Sequence, residues 1–243
     1  MVMNKVGSNG RFQKMAFVVY CFSTCCVGFV VYCLSYLELM PAFECTSATN
    51  PVPYACKQED FCGNPDITYS IVPGPETLSN WVEKLSLICR PGWQIGLLGS
   101  ALFAGWCSTM LWLPQFGDRY GRYRIFFIGN VINLILYSIL MLSHSYWLSV
   151  VTIFFIGALE SIRLSIGYNY CMELIGVKYQ TFYGTVWNVN EGAIYLWATI
   201  YFGFIAKTWF PFVMIGYTLA CIATVCVYFY PESPPWCIEM KYF

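Results

Sequence analysis

Six apolar runs punctuate this chain, and nothing else in the sequence limits its folding so strongly. They cover residues 15–37, 93–113, 125–143, 146–170, 181–205 and 209–230, each near the ~20 residues that a helix needs to cross ~30 Å of hydrocarbon. Backbone in lipid must satisfy its own N–H and C=O groups, so runs of this length predict helices. The expectation is an all-α integral membrane protein with six transmembrane helices in a lipid bilayer. A composition that is 58% hydrophobic and 19% aromatic agrees, because soluble domains average roughly 45–50% apolar residues. Trp93, Trp112, Trp147 and Trp209 fall at run ends, where interfacial aromatics are expected. The first run follows Lys5, Arg11 and Lys14 as a signal peptide's would, yet its 23 residues exceed a 7–15-residue signal core and no A-x-A-like site follows, so it reads as an uncleaved span.

Charge is sparse and positional. Thirteen basic and thirteen acidic residues cancel, which removes the basic footprint of a nucleic-acid partner. With the N-terminus inside, the inner segments carry Lys5, Arg11, Lys14, Arg119, Arg122, Arg124, Lys178 and Lys241, against Lys57, Lys84, Arg90 and Lys207 outside. The excess of inner cations predicts both termini on the cytoplasmic or matrix side. The chain then divides into an inner tail (1–14), a first span (15–37), an outer Cys- and Pro-rich loop (38–92), a bundle of five further spans (93–230) with an inner turn at 114–124, and an inner C-terminal tail (231–243).

That inner turn contains "GDRYGRYR", Gly117 to Arg124. Its glycines permit a tight helix-to-helix connection and its arginines sit where headgroups can meet them. "DRYGRYR" after a second span resembles the loop-two motif of the major facilitator superfamily, G-x-x-x-D-R-x-G-R-R/K. The long cysteine-bearing first loop, "ELIGVKYQTFYG" after the fourth run and "PESPPW" after the sixth are similar to its organic cation/anion (carnitine-type) transporter branch. The resemblance implies six helices forming one half of a twelve-helix transporter, built of two inverted three-helix repeats, with substrate held between halves. The chain looks like an N-terminal half. The resemblance also implies that Asp118, Arg119, Gly121, Arg122, Arg124 and Glu173 serve as an inner gate and motif turn. Four positions depart from the pattern: Pro114 for a glycine, Tyr123 for a basic residue, and Gln180 and Pro235 for arginines. Two lost arginines weaken the expected latch, unless Lys178 stands in for one of them.

Within the bundle, Glu160 and Arg163 share one helical face three residues apart. Intramembrane charges are costly and are functional candidates by default. Two readings stay open: a mutually neutralising pair, or groups that bind an anion at Arg163 and a cation at Glu160. "WNVNEG" on the fifth run adds Asn188 and Glu191 as candidate cavity residues, with Glu191 the candidate for proton or cation coupling.

The outer loop holds Cys45, Cys56, Cys62 and Cys89 together with Pro51, Pro53, Pro65, Pro73, Pro75 and Pro91. Four cysteines in an oxidising space make two disulfides by one of three connectivities. Their spacing is not that of C-x-x-C pairs, and the one histidine, His144, lies in another loop, so no metal site is expected. Seven acidic residues against three basic ones leave the loop acidic. No N-x-S/T sequon occurs in the 243 residues, which favours an intracellular membrane such as the mitochondrial inner membrane over the plasma membrane. No nucleophile with a paired base, no phosphate loop and no haem spacing occurs, so neither enzyme nor cofactor is expected. The expected function is a degenerate half-transporter serving as an accessory or structural subunit beside other membrane proteins. The alternative is transport of a small organic ion, active as a homodimer or with a second six-helix half.

Overall fold

The computed structural model describes residues 9–47, 52–74 and 77–239. Lys5, Lys241, Pro51 and Pro75 lie outside them, as do the inner tail before residue 9 and the C-terminal tail after 239.

The first span is helix α1, Arg11–Val31. At its start the Gln13 side chain accepts the Gly10 amide at 3.0 Å, satisfying a donor that helix geometry leaves free. The run expected to reach residue 37 breaks at a turn before a single-turn helix α2, Leu34–Leu37. The outer segment fixes this bend: Asn80 Nδ2 donates to Tyr36 O at 3.0 Å and Leu39 O at 2.8 Å.

The outer segment is a small folded unit. Strands β1 (Phe43–Ser47) and β2 (Tyr54–Cys56), helix α3 (Gln58–Phe61), strand β3 (Ile67–Ile71) and helix α4 (Trp81–Lys84) follow in order. The three strands form an antiparallel sheet in the order β2-β1-β3. Disulfides Cys45–Cys56 and Cys62–Cys89 select one of the three connectivities. Phe43, Cys45 and Phe61 are its buried centre. Trp81, only 1% exposed, sinks into the membrane bundle beside Trp209, and Lys84 Nζ donates to Leu140 O at 2.7 Å.

Helices α5 (Gly92–Thr109) and α6 (Leu113–Tyr120) meet at a 47° bend and cover the second run. Pro114 lies in the first turn of α6, where a missing N–H costs nothing. Then follow α7 (Arg122–Leu142), α8 (Tyr146–Leu174, with a π-helical stretch at Ile162–Gly167), α9 (Val177–Ile200, continued by a π turn at Tyr201–Ile205), α10 (Trp209–Tyr228) and α11 (Pro234–Glu239). Among the described residues α1, α7, α8 and α10 are each long and apolar enough to cross a membrane, and the bent α5–α6 pair makes a fifth candidate. The fifth predicted run coincides with α9, which is long enough but interrupted by Asn188, Asn190 and Glu191, and it is not among the candidates.

Packing follows small residues. A Cβ on Gly105 would fall 2.0 Å from Phe154 O, and one on Gly157 1.9 Å from Leu102 O. Glycine on both helices therefore lets α5 and α8 touch backbone to backbone, as small residues do in lipid. Helix α1 lies along α10 and also meets α9, while α7 packs on α8 and α10. One apolar core, including Leu37, Trp81, Leu98 and Phe212, fills the outer part of the bundle. A second, including Phe17, Tyr20, Phe126 and Tyr170, fills the inner part. Trp209 is 8% exposed against 62% for Trp93 and 57% for Trp147. It is thus a core residue under Trp81 rather than the interfacial anchor that its place in the sequence suggests.

Candidate functional site

Two polar centres occupy this bundle, one at its inner end and one between the two apolar cores. At the inner end Gly121 takes φ +103° between α6 and α7, a conformation open to glycine. Its open side also admits the C-terminal tail: Glu232 Oε1 accepts the Tyr123 amide at 2.8 Å. Arg122 joins two carboxylates, Asp118 at 2.9 Å and Glu173. Ser233 donates to the other oxygen of Glu173, and Trp236 Nε1 donates to Asp118 O at 2.8 Å.

Arg122 alone bridges α6 and α8, and the tail supplies hydrogen bonds where arginine was expected. Gln180 donates to Met172 O at 2.9 Å, sharing a carbonyl at the end of α8 that also accepts the Ile175 amide. Lys178 does not replace an arginine; its ammonium lies over the Tyr179 ring. Arg119 lies over Tyr120, and no ion pair of Arg119 or Arg124 is present among the described residues. Glu232, Ser233 and Trp236 were in view within "PESPPW" but carried no signal of their own, because their partners are more than fifty residues away.

Deeper in the bundle, the π-helical stretch of α8 carries Arg163, and π-bulges commonly mark functional sites. Arg163 forms an ion pair with Glu160 Oε1 and donates to Thr24 O of α1. The two residues are each 5% exposed. Both line a cavity of about 50 Å³ with Gly28, Tyr32, Trp106 and Glu191. Glu160 Oε2, Glu191 Oε1 and Arg163 Nε are buried there without a hydrogen-bond partner. Of the four expected cavity residues, then, Glu160, Arg163 and Glu191 come together. Asn188 does not line the cavity; it lies on an exposed face of α9 and donates to Gly184 O at 2.9 Å. Tyr32 and Trp106 were missed, since each reads in the sequence as an ordinary aromatic within an apolar run.

Near the outer end, outside the spans, burial pushes the Glu38 carboxyl up to about 7 and the Lys84 ammonium down to about 8. Glu38 Oε1 is buried without a partner. No group of three or more His, Cys, Asp or Glu side chains able to hold a metal occurs among the described residues.

Apolar helices around a charged, partly aromatic cavity make this an integral membrane protein of transporter-like architecture. The arrangement fits one half of a major facilitator fold. No family model matches the chain. It is 26% identical over 162 residues to solute carrier family 22 member 16 of Homo sapiens, covering 66% of this chain and 28% of that protein. It is 25% identical over 167 residues to solute carrier family 22 member 2 of Rattus norvegicus, covering 67% of this chain and 29% of that protein. A probable peptide/nitrate transporter of Arabidopsis thaliana is 28% identical over 101 residues, 42% of this chain and 21% of that protein. The chain thus spans less than a third of the length of these curated relatives.

Proposed function

We propose that this chain is a transporter-derived membrane subunit that works by packing against a helix of another membrane polypeptide, without moving solute on its own. The carrying observation is a stripe on α9. Thr181, Thr185, Asn188, Gly192, Tyr195 and Thr199 are all exposed, at steps of four, three, four, three and four residues. That spacing is the 3.5-residue repeat of a helix seam, and small or hydroxyl-bearing residues are what seams in lipid use. Thr185, Asn188 and Thr199 bond back to carbonyls four residues earlier, so the helix holds its shape before a partner arrives. Docking would also explain how a helix too polar to stand alone in lipid is accommodated.

In this reading the charged ends assign sides. Arg11, Lys14, Arg119, Arg122, Arg124 and Lys178 face the cytoplasm or matrix, and the disulfide-bonded unit faces an oxidising space. An intracellular membrane, such as the mitochondrial inner membrane, suits a chain without sequons.

The second reading is transport of a small organic ion, with a second copy or another six-helix half closing the cavity. Glu160, Arg163 and Glu191 around one cavity are the observation in its favour.

Native mass spectrometry of the protein extracted from its own membrane in mild detergent separates the two. The docking reading expects a hetero-oligomer, and an Asp118→Ala variant that loses stability or assembly with no change in solute flux. A homodimer or a free chain whose proteoliposomes take up a solute, with the uptake altered by Asp118→Ala, would overturn it.

A further inference from the structure

The charge in the central cavity does not balance. Glu160 and Glu191 bring two negative charges and Arg163 one positive charge, and each of the three is 93% or more buried. Arg163 already spends its terminal nitrogens on Glu160 Oε1 and Thr24 O. Glu160 Oε2 and Glu191 Oε1 remain, both without partners and both lining the same cavity. The other titratable groups around Glu191 are Tyr20, Cys21 and Cys25 on α1 and Tyr32 just past its end, whose hydroxyl faces the Glu191 carboxylate. Phenols and thiols supply no positive charge. Leu102 and Trp106 are the contributions of α5 to the lining, and neither is titratable. An uncompensated carboxylate in hydrocarbon is strongly disfavoured, so the cavity as built lacks one positive charge.

We propose that Glu191 and Glu160 form a binding site for one compact monovalent cation, either a sodium-sized metal ion or a proton. Size sets the class. A water molecule needs ~10–15 Å³ measured in the same way, so about 50 Å³ admits an ion with a few waters and excludes an organic cation of several carbons. Two carboxylate oxygens with water are hard oxygen donors, which suit such ions. Arg163 keeps the pair from holding two cations, because it neutralises one charge permanently. Filling the site removes the net charge and ties α8 to α9 through the shared ion. Cation binding in the cavity is independent of any helix docking at the stripe on α9.

The test uses the full chain in lipid nanodiscs. Radiolabelled sodium binding is measured in choline buffer, and the protonated-carboxyl band is recorded by infrared difference spectroscopy across neutral pH. Glu191→Gln and Glu160→Gln are compared with Glu173→Gln, a carboxylate at the inner turn outside the cavity, and circular dichroism confirms that each variant is helical. Saturable sodium binding that is lost in Glu191→Gln and kept in Glu173→Gln supports the metal-ion form. Absence of sodium binding together with a protonated-carboxyl band that disappears in Glu191→Gln supports the proton form. A wild-type protein with neither signal, or signals that persist in both cavity variants, overturns the site.

Discussion

At the scale of single residues, Gly105 and Gly157 decide how closely α5 and α8 approach. A side chain on either would meet backbone of the other helix within 2.0 Å, and backbone cannot step aside as a side-chain tip can. Gly157→Leu is therefore expected to cost ~3 kcal/mol or more, beyond the usual ~1–3 kcal/mol of overpacking. Thermal unfolding in detergent reads this, and a wild-type midpoint in the variant would refute the close contact. Sequence carried much at this scale. The spacing of Glu160 and Arg163 already implied a shared face, and the structure joins them as an ion pair. It carried less for Glu191, whose arrival at the same cavity depends on how α9 crosses α1. It misplaced Asn188 because one polar "WNVNEG" cluster wraps two faces of a helix.

Among elements, the apolar runs located α7 and α10 to within a few residues, since a continuous stretch of Leu, Ile, Val and Phe leaves little freedom. The bend between α5 and α6 escaped notice, because hydropathy is blind to direction even where Pro114 marks the break. The outer sheet was also missed, although the β-branched and aromatic run of β3 was available to suggest it. That outer unit leads to a pH prediction. Glu38 carries a carboxyl raised from 4.5 to about 7 by burial, so the folded state holds a proton that the unfolded chain releases. The stabilisation is complete below about 4.5 and is lost as pH rises to about 7. The unfolding temperature should fall across that window, and Glu38→Gln should flatten the fall. An unchanged slope in the variant would assign the pH dependence to another group.

For the whole molecule, the inner network decides whether the bundle behaves as one body. Asp118 is a shared partner: its carboxylate receives Arg122 while its carbonyl receives the Trp236 indole. Arg122 continues to Glu173 on α8, and Glu173 receives Ser233 of the tail. Residues from α6, α7, α8 and the tail after α10 therefore meet within one connected set, and substitutions in such a set are not additive. Arg122→Ala leaves Glu173 without its cation and should cost ~1–3 kcal/mol. Trp236→Ala should cost less when measured alone in a wild-type background. With Arg122 already gone, the turn at Gly121 has lost the ion pair that holds Asp118 in place, so removing Trp236 should cost less still. The double variant is expected to fall short of the sum by ~0.5–3 kcal/mol, the range seen for residues that share partners. Chemical or thermal unfolding of the four proteins in one detergent measures the cycle, with limited proteolysis of the tail as a second readout. Additivity within ~0.3–0.5 kcal/mol would mean that the tail and the motif turn are independent, and that the inner face is an anchor rather than a latch.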